Sequence, residues 1–311
     1  MLEILNVVIP VFAILAFGYL AVRFRLYPAD GVAGLVAFVN NFATPCLLFE
    51  AMLTSNFSST FNPAIIVPFY VGAVTSLFVG AWIGRRFFGN RPGESIAAGF
   101  SATFTNTVLV GIPIMQRAYG EAAMPTAFSI IALHAPLLIT LGMLVMELVR
   151  RDGEPLHKAL LTAFLRMIRN PLLIGVGLGV LGNRFGLVLP EAGTAFFTMM
   201  SAAVLPAALF GLGGALNAYK LSENWSEAAA MSVFKLIIHP IIAYVLMIHV
   251  LHVPMEYARY GIVLAAMPSG INAYVFATYY DRAVNVATNT VLITTVGAVV
   301  SVTAWLYFLG L

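Results

Sequence analysis

Apolar residues run through this chain in long, nearly unbroken stretches separated by short polar clusters. A bilayer core of roughly 30 Å takes about 20 such residues in helical form. Ten segments fit: Leu2–Val22, Val32–Ser55, Pro63–Gly84, Ser95–Ala118, Ala123–Val149, Asn170–Gly186, Glu191–Leu216, Glu227–Leu251, Tyr257–Tyr280 and Ala283–Leu309. The runs are continuous and lack the period-two alternation of barrel strands, so helices are predicted. Glu3 precedes the first run, and Arg23 and Arg25 follow it. That is the reverse of a secretory signal, so the segment is read as a retained helix.

Composition fixes the class. Of 311 residues 61% are hydrophobic and 9% charged, against about 25% charged in soluble domains. The chain therefore reads as an all-α integral membrane protein surrounded by lipid bilayer. A single cysteine, Cys46, excludes a disulfide scaffold. The 16 Lys+Arg against 13 Asp+Glu form no basic stripe, which excludes a nucleic-acid partner.

The positions of the basic residues give an orientation. Arg23, Arg25, Arg85, Arg86, Arg91, Arg150, Arg151, Lys158, Arg166, Arg169, Lys220 and Arg282 fall in one set of alternating loops, and Arg117, Arg184 and Arg259 in the other. Positive charge marks the cytoplasmic side, so both termini are expected outside and the connector 150–169 inside. In that connector Leu161, Phe164, Leu165 and Ile168 share a face beside Arg166 and Arg169, which suits an interfacial helix. A plain solvated connector is the alternative.

An offset of 161 positions aligns Pro10 with Pro171, Gly18 with Gly179, Arg23-Phe24 with Arg184-Phe185, Pro45 with Pro206, Phe49 with Phe210 and Tyr119 with Tyr280. This predicts a repeat, residues 1–149 and 170–311, of five segments each. An odd number forces the second copy to enter from the opposite side. Inverted repeats are typical of secondary transporters, whose sites lie near the midplane at broken helices.

The fourth and ninth segments carry matching interruptions, Asn106-Thr107-Val108-Leu109-Val110-Gly111-Ile112-Pro113 and Pro268-Ser269-Gly270-Ile271-Asn272. Proline removes a backbone donor and glycine loosens the same stretch. Breaks are thus expected around Pro113 and Pro268, and the freed amides at the following half-helix N-termini would favour an anion. Candidate substrate contacts are Asn106, Thr107, Gly111, Pro113, Pro268, Ser269, Gly270, Ile271 and Asn272. The alternative is an ordinary proline kink with its polar side chains bonded to neighbouring helices.

Asn40 and Asn41, adjacent amides at depth, are further candidate substrate contacts, either touching substrate or tying the second segment to the crossing, with contact at the crossing favoured. Lys235 and His239 lie four apart on one helix face. They would offset an anionic substrate's charge or stand where a coupling cation would bind. The alternative is a snorkelling lysine with a carbonyl-bonded histidine. His134 reads as a packing histidine, and Glu50 and Glu147 as interfacial anchors. No phosphate loop, metal-ligand motif or nucleophile–base pair is found, so ATP-driven pumping, a bound metal and enzymatic activity are not expected.

At these two interruptions the chain resembles the auxin efflux carrier family. Asn106 to Pro113 is similar to that family's Asn-Thr-x-x-x-Gly-Ile-Pro stretch. Pro268-Ser269-Gly270-Ile271-Asn272-Ala273-Tyr274-Val275-Phe276-Ala277 is similar to its Pro-x-Gly-Ile-x-x-x-Val-Phe-Ala stretch. The likeness covers essentially the whole chain, and the short central loop resembles bacterial members, which implies a bacterial cytoplasmic membrane. The resemblance implies ten transmembrane helices in a 5+5 inverted repeat of the bile-acid symporter and NhaA kind, with broken crossing helices. Segments one, two, six and seven would form a scaffold through which a homodimer would form, and segments three to five and eight to ten a moving transport domain. Unlike the plant pattern, no acidic residue lies between Pro63 and Gly84.

The expected function is secondary transport of a small organic anion, malonate or a related carboxylate, by elevator-like alternating access. Alternatives are a cation-coupled or cation-exchanging transporter of the same fold and a ligand-binding channel or sensor. No cofactor is implied; a coupling proton or sodium ion is left open.

Overall fold

A computed structural model describes residues 2–54, 61–149, 161, 165, 168–218 and 223–311. Among them the chain is helical, apart from one isolated antiparallel bridge. The helices are α1 (Leu2–Arg23), α2 (Ala29–Thr54), α3 (Pro63–Phe87), α4 (Pro92–Thr103), α5 (Ile112–Tyr119), α6 (Met124–Val149), α7 (Pro171–Arg184), α8 (Glu191–Ala218), α9 (Trp225–Val250), α10 (Met255–Ala265), α11 (Ile271–Tyr280) and α12 (Val284–Phe308). Seven stretches of described helix are long and apolar enough to cross a membrane. One of these, Thr107–Val149, holds both α5 and α6 and is turned at Gly120, whose φ of 63° suits glycine. The predicted interfacial helix falls largely outside the described residues; Leu161, Leu165 and Ile168 within it are exposed.

Prolines explain the irregular turns. Pro45, Pro113 and Pro240 each follow a π turn, Val39–Ala43, Thr107–Gly111 and Phe234–Ile238. Each lacks the N–H that would bond the carbonyl four residues back, and the wider turn absorbs the mismatch. The carbonyl freed by Pro240, that of Leu236, is satisfied instead by Trp305 Nε1 at 3.2 Å. In α8 the helix breaks at Ala203, three residues before Pro206.

Two groups of helices pack mainly among themselves: α1, α2, α7 and α8 in one, α3, α4, α6 and α9–α12 in the other. Glycines set the close approaches in the first group. A Cβ at Gly18 would strike the Phe210 carbonyl, and one at Gly179 the Phe49 carbonyl. Small residues let membrane helices approach backbone to backbone in this way.

Candidate functional site

Thr103, Thr105, Asn106 and Thr107 follow one another closely, and their short polar side chains compete for helical backbone bonds. The helix ends at Thr103 and the chain runs extended through Phe104. The second interruption begins after Ala265, where Pro268 biases the residue before it away from helix. The two extended stretches pair antiparallel, Thr105 opposite Ser269. The Asn106 N–H donates to the Pro268 carbonyl and the Gly270 N–H to the Phe104 carbonyl, each at 2.8 Å.

The outward-pointing amides of this pair are held from the sides. Thr105 N–H donates to His134 Nε2 at 2.9 Å, and Ser269 N–H to Thr294 Oγ1 at 3.0 Å. Ser269 Oγ donates to the Ser101 carbonyl at 2.7 Å. Thr105, His134, Ser269, Thr294 and Ser101 are all buried. Break positions therefore differ from expectation on one side. Pro268 sits at its crossing, but Pro113 lies inside resumed helix, because the π turn before it absorbs the lost hydrogen bond and the chain unwinds earlier, at Phe104–Asn106.

A cavity of about 290 Å³ opens beside the crossing. Asn40, Asn41, Asn106, Thr107, Gly270, Ile271 and Asn272, all expected from sequence, line it. Gly111, Pro113, Pro268 and Ser269 do not. Gly111 packs toward Leu264, Pro113 is buried at the start of α5, and Pro268 and Ser269 hold the crossing through backbone and hydroxyl bonds.

The polar groups at the wall are matched unevenly. Asn106 Oδ1 accepts from Leu109 N–H at 3.1 Å and so caps the helix that follows. Its Nδ2 is buried with no partner among the described residues. No side chain caps α11, whose N-cap is Gly270; Ile271 and Asn272 of its first turn line the cavity, while the Ala273 N–H donates to the Gly270 carbonyl at 3.0 Å. No Lys or Arg is among the described lining residues.

Lys235 and His239 are fully buried away from this wall. Lys235 Nζ donates to the Ala265 carbonyl at 2.7 Å, at the C-terminal end of α10, where the helix dipole favours a cation. It also donates to His239 Nδ1 at 3.3 Å, and His239 Nε2 donates to the Phe69 carbonyl at 2.9 Å. This pattern leaves His239 neutral with its proton on Nε2.

Sequence reasoning did not reach Phe104, Thr105, Ile139 and Asn170 as lining residues. His134, read as a packing residue, satisfies one ring nitrogen and also lines the cavity. A histidine two residues before Pro136 on a mostly apolar helix is the available signal. Sharing Ala135, Ile139, Asn170 and Asn272, an apolar pocket of about 160 Å³ adjoins the cavity and is walled by Met143, Phe276, Tyr279 and Tyr280. Both reach Asn170, which opens α7 just after the connector. At the other end of the same inter-group seam lies a groove of about 690 Å³ lined by Glu50, Gln116, Glu121, Phe128 and Ser201. There Glu50 accepts hydroxyl bonds from Thr198 and Ser201, both at 2.9 Å.

A family model described as membrane transport protein matches residues 3–306. The chain is 25% identical over 319 residues to a protein of Rhizobium meliloti (strain 1021) named "Putative malonate transporter", covering 99% of this chain and 97% of that one. It is 22% identical over 304 residues to "Uncharacterized transporter YfdV" of Escherichia coli (strain K12), covering 96% and 95%. Over 332 residues it is 23% identical to "Auxin efflux carrier component 8" of Arabidopsis thaliana, covering 90% of each.

Proposed function

The chain belongs to the membrane transport protein family that includes auxin efflux carriers, so it is a membrane transporter and not an enzyme, and we propose that it carries a small organic anion. Malonate or a related carboxylate is the proposed cargo, in keeping with the name of one relative. The observation that carries this reading is the buried Asn106 Nδ2, without a partner among the described residues, beside the N-terminus of α11, which no side chain caps, on one cavity wall. Amide donors and a helix dipole can bind an anion without a fixed cation in the first layer.

The proposed architecture is ten crossings in a 5+5 inverted repeat, each interrupted stretch counting as one crossing. The 161-residue offset turns the Gly18–Phe210 contact into Gly179–Phe49, the same pair with the roles exchanged. That exchange is what a two-fold relation between the halves would produce. The proposed mechanism is elevator-like alternating access. The group of α3, α4, α6 and α9–α12, together with α5, would move against a scaffold of α1, α2, α7 and α8. Its support is that cavity and groove lie on the seam between these groups, at opposite ends. A homodimer through the scaffold, both termini outside and residence in a bacterial inner membrane belong to the same proposal.

For coupling, a Lys235 ammonium would supply a built-in positive charge at the end of α10, where the helix dipole favours a cation. We therefore favour transport without sodium over the cation-coupled alternative. Proteoliposome counterflow of labelled malonate, malate and an aromatic carboxylate, with and without sodium and proton gradients, tests the reading. Saturable counterflow supports a carrier; unsaturable flux would favour a channel.

A further inference from the structure

Two buried donors on the cavity wall lack partners among the described residues, Asn106 Nδ2 and His134 Nδ1. The second has no part in the reading above. His134 is 2% exposed. Its Nε2 accepts the Thr105 N–H at 2.9 Å, so the ring proton must sit on Nδ1 and the imidazole is neutral. A second proton on Nε2 would face the Thr105 N–H head on. The rings of Phe104, Phe69 and Tyr70, with centroids at 4.6, 5.7 and 6.1 Å, surround the imidazole. Turning it over would orphan the Thr105 amide instead. The ring is thus clamped with a donor committed to Nδ1.

Buried donors are nearly always satisfied, and the cavity that His134 lines can supply an acceptor. We propose that His134 is a substrate-binding residue whose Nδ1–H donates to an acceptor oxygen of the cargo, alongside Asn106 Nδ2. The inference rests on the anion reading of this cavity and extends it. Both donors are neutral, so the wall selects for acceptor oxygens, as in a carboxylate, and against ammonium groups. Because Thr105 lies opposite Ser269 in the crossing, the same ring joins the cargo to the paired backbone.

Two variants separate the roles of the ring nitrogens. In His134→Gln the side-chain carbonyl reaches the Nε2 position and keeps the Thr105 acceptor, but nothing donates from the Nδ1 position. In His134→Asn the amide nitrogen overlays Nδ1, while the side chain is too short to reach Thr105. With labelled malonate as probe, H134Q is expected to raise the half-saturating concentration by roughly ten- to a hundredfold, the usual effect of losing a hydrogen bond to a charged group. H134N is expected to lie within roughly fivefold of wild type, with a lower melting temperature. Equal affinity in H134Q and wild type, or equal weakening in both variants, would overturn the assignment while leaving the carrier reading intact. Wild-type protein that neither binds nor exchanges malonate would overturn both. Should H134Q not fold, ¹⁵N-histidine NMR of wild type decides the matter. The His134 Nδ1 proton should shift downfield on adding malonate, and an unmoved resonance refutes the contact.

Discussion

The Gly270 N–H donates to the Phe104 carbonyl at 2.8 Å, binding the start of α11 to the chain that follows α4. The approach is close because residue 270 has no side chain. A Cβ there would lie 3.0 Å from the Phe104 ring and 3.3 Å from the Thr105 carbonyl oxygen. The crossing is thus held by backbone, and its spacing depends on that glycine.

Substituting Gly270 should therefore act on transport through geometry. Gly270→Ala asks its neighbours to give by a few tenths of an ångström and should weaken malonate exchange severalfold. Gly270→Val should push the two stretches apart and remove exchange altogether. Initial counterflow rates at equal protein density check this, and an unimpaired G270V would mean that the pairing is dispensable.

Lys235 bears on coupling. Wild-type exchange should run at the same rate with sodium replaced by choline if the Lys235 side chain at the end of α10 takes the place of a bound cation. Lys235→Met keeps the bulk but leaves the Ala265 carbonyl and His239 Nδ1 without their donor. A loss of about 1–3 kcal/mol in stability is expected for an orphaned buried acceptor, read as a lower melting temperature in detergent. Sodium-dependent exchange by the wild type would contradict this role.

Helix contacts in the proposed scaffold can be tested by size alone. Gly179→Val places methyl groups against the Phe49 carbonyl and Met52 and should destabilise the protein by about 1–3 kcal/mol, as overpacking does. Gly177→Ala, two residues earlier and facing open space, should leave the melting temperature unchanged. Equal behaviour of the two variants would argue against close packing of α7 on α2.

Much of this was legible because membrane burial writes itself into composition. The apolar runs do fall on helices, and the Asn106–Pro113 and Pro268–Asn272 stretches do lie at or beside the paired backbone. The first break falls at Phe104–Asn106 and not near Pro113, because a missing N–H has two remedies, unwinding or a π turn, and sequence does not choose between them. Lys235 could be placed at depth, but its partner, a carbonyl 30 residues later, depends on where α10 stops. His134 was undervalued for a related reason. A lone polar residue on an apolar face looks satisfied until the structure reveals which of its nitrogens is.

Asn106 bears the central claim, because its two ends do separate work. Oδ1 accepts from the Leu109 N–H, whereas Nδ2 is a buried donor with no partner among the described residues. Asn106→Asp retains the capping oxygen and replaces that donor with an oxygen that repels an anion. The most direct measurement is saturable counterflow of labelled malonate into proteoliposomes holding wild type or N106D. Saturable exchange by wild type is expected, and none above background by a folded N106D. Exchange by N106D equal to wild type would contradict it.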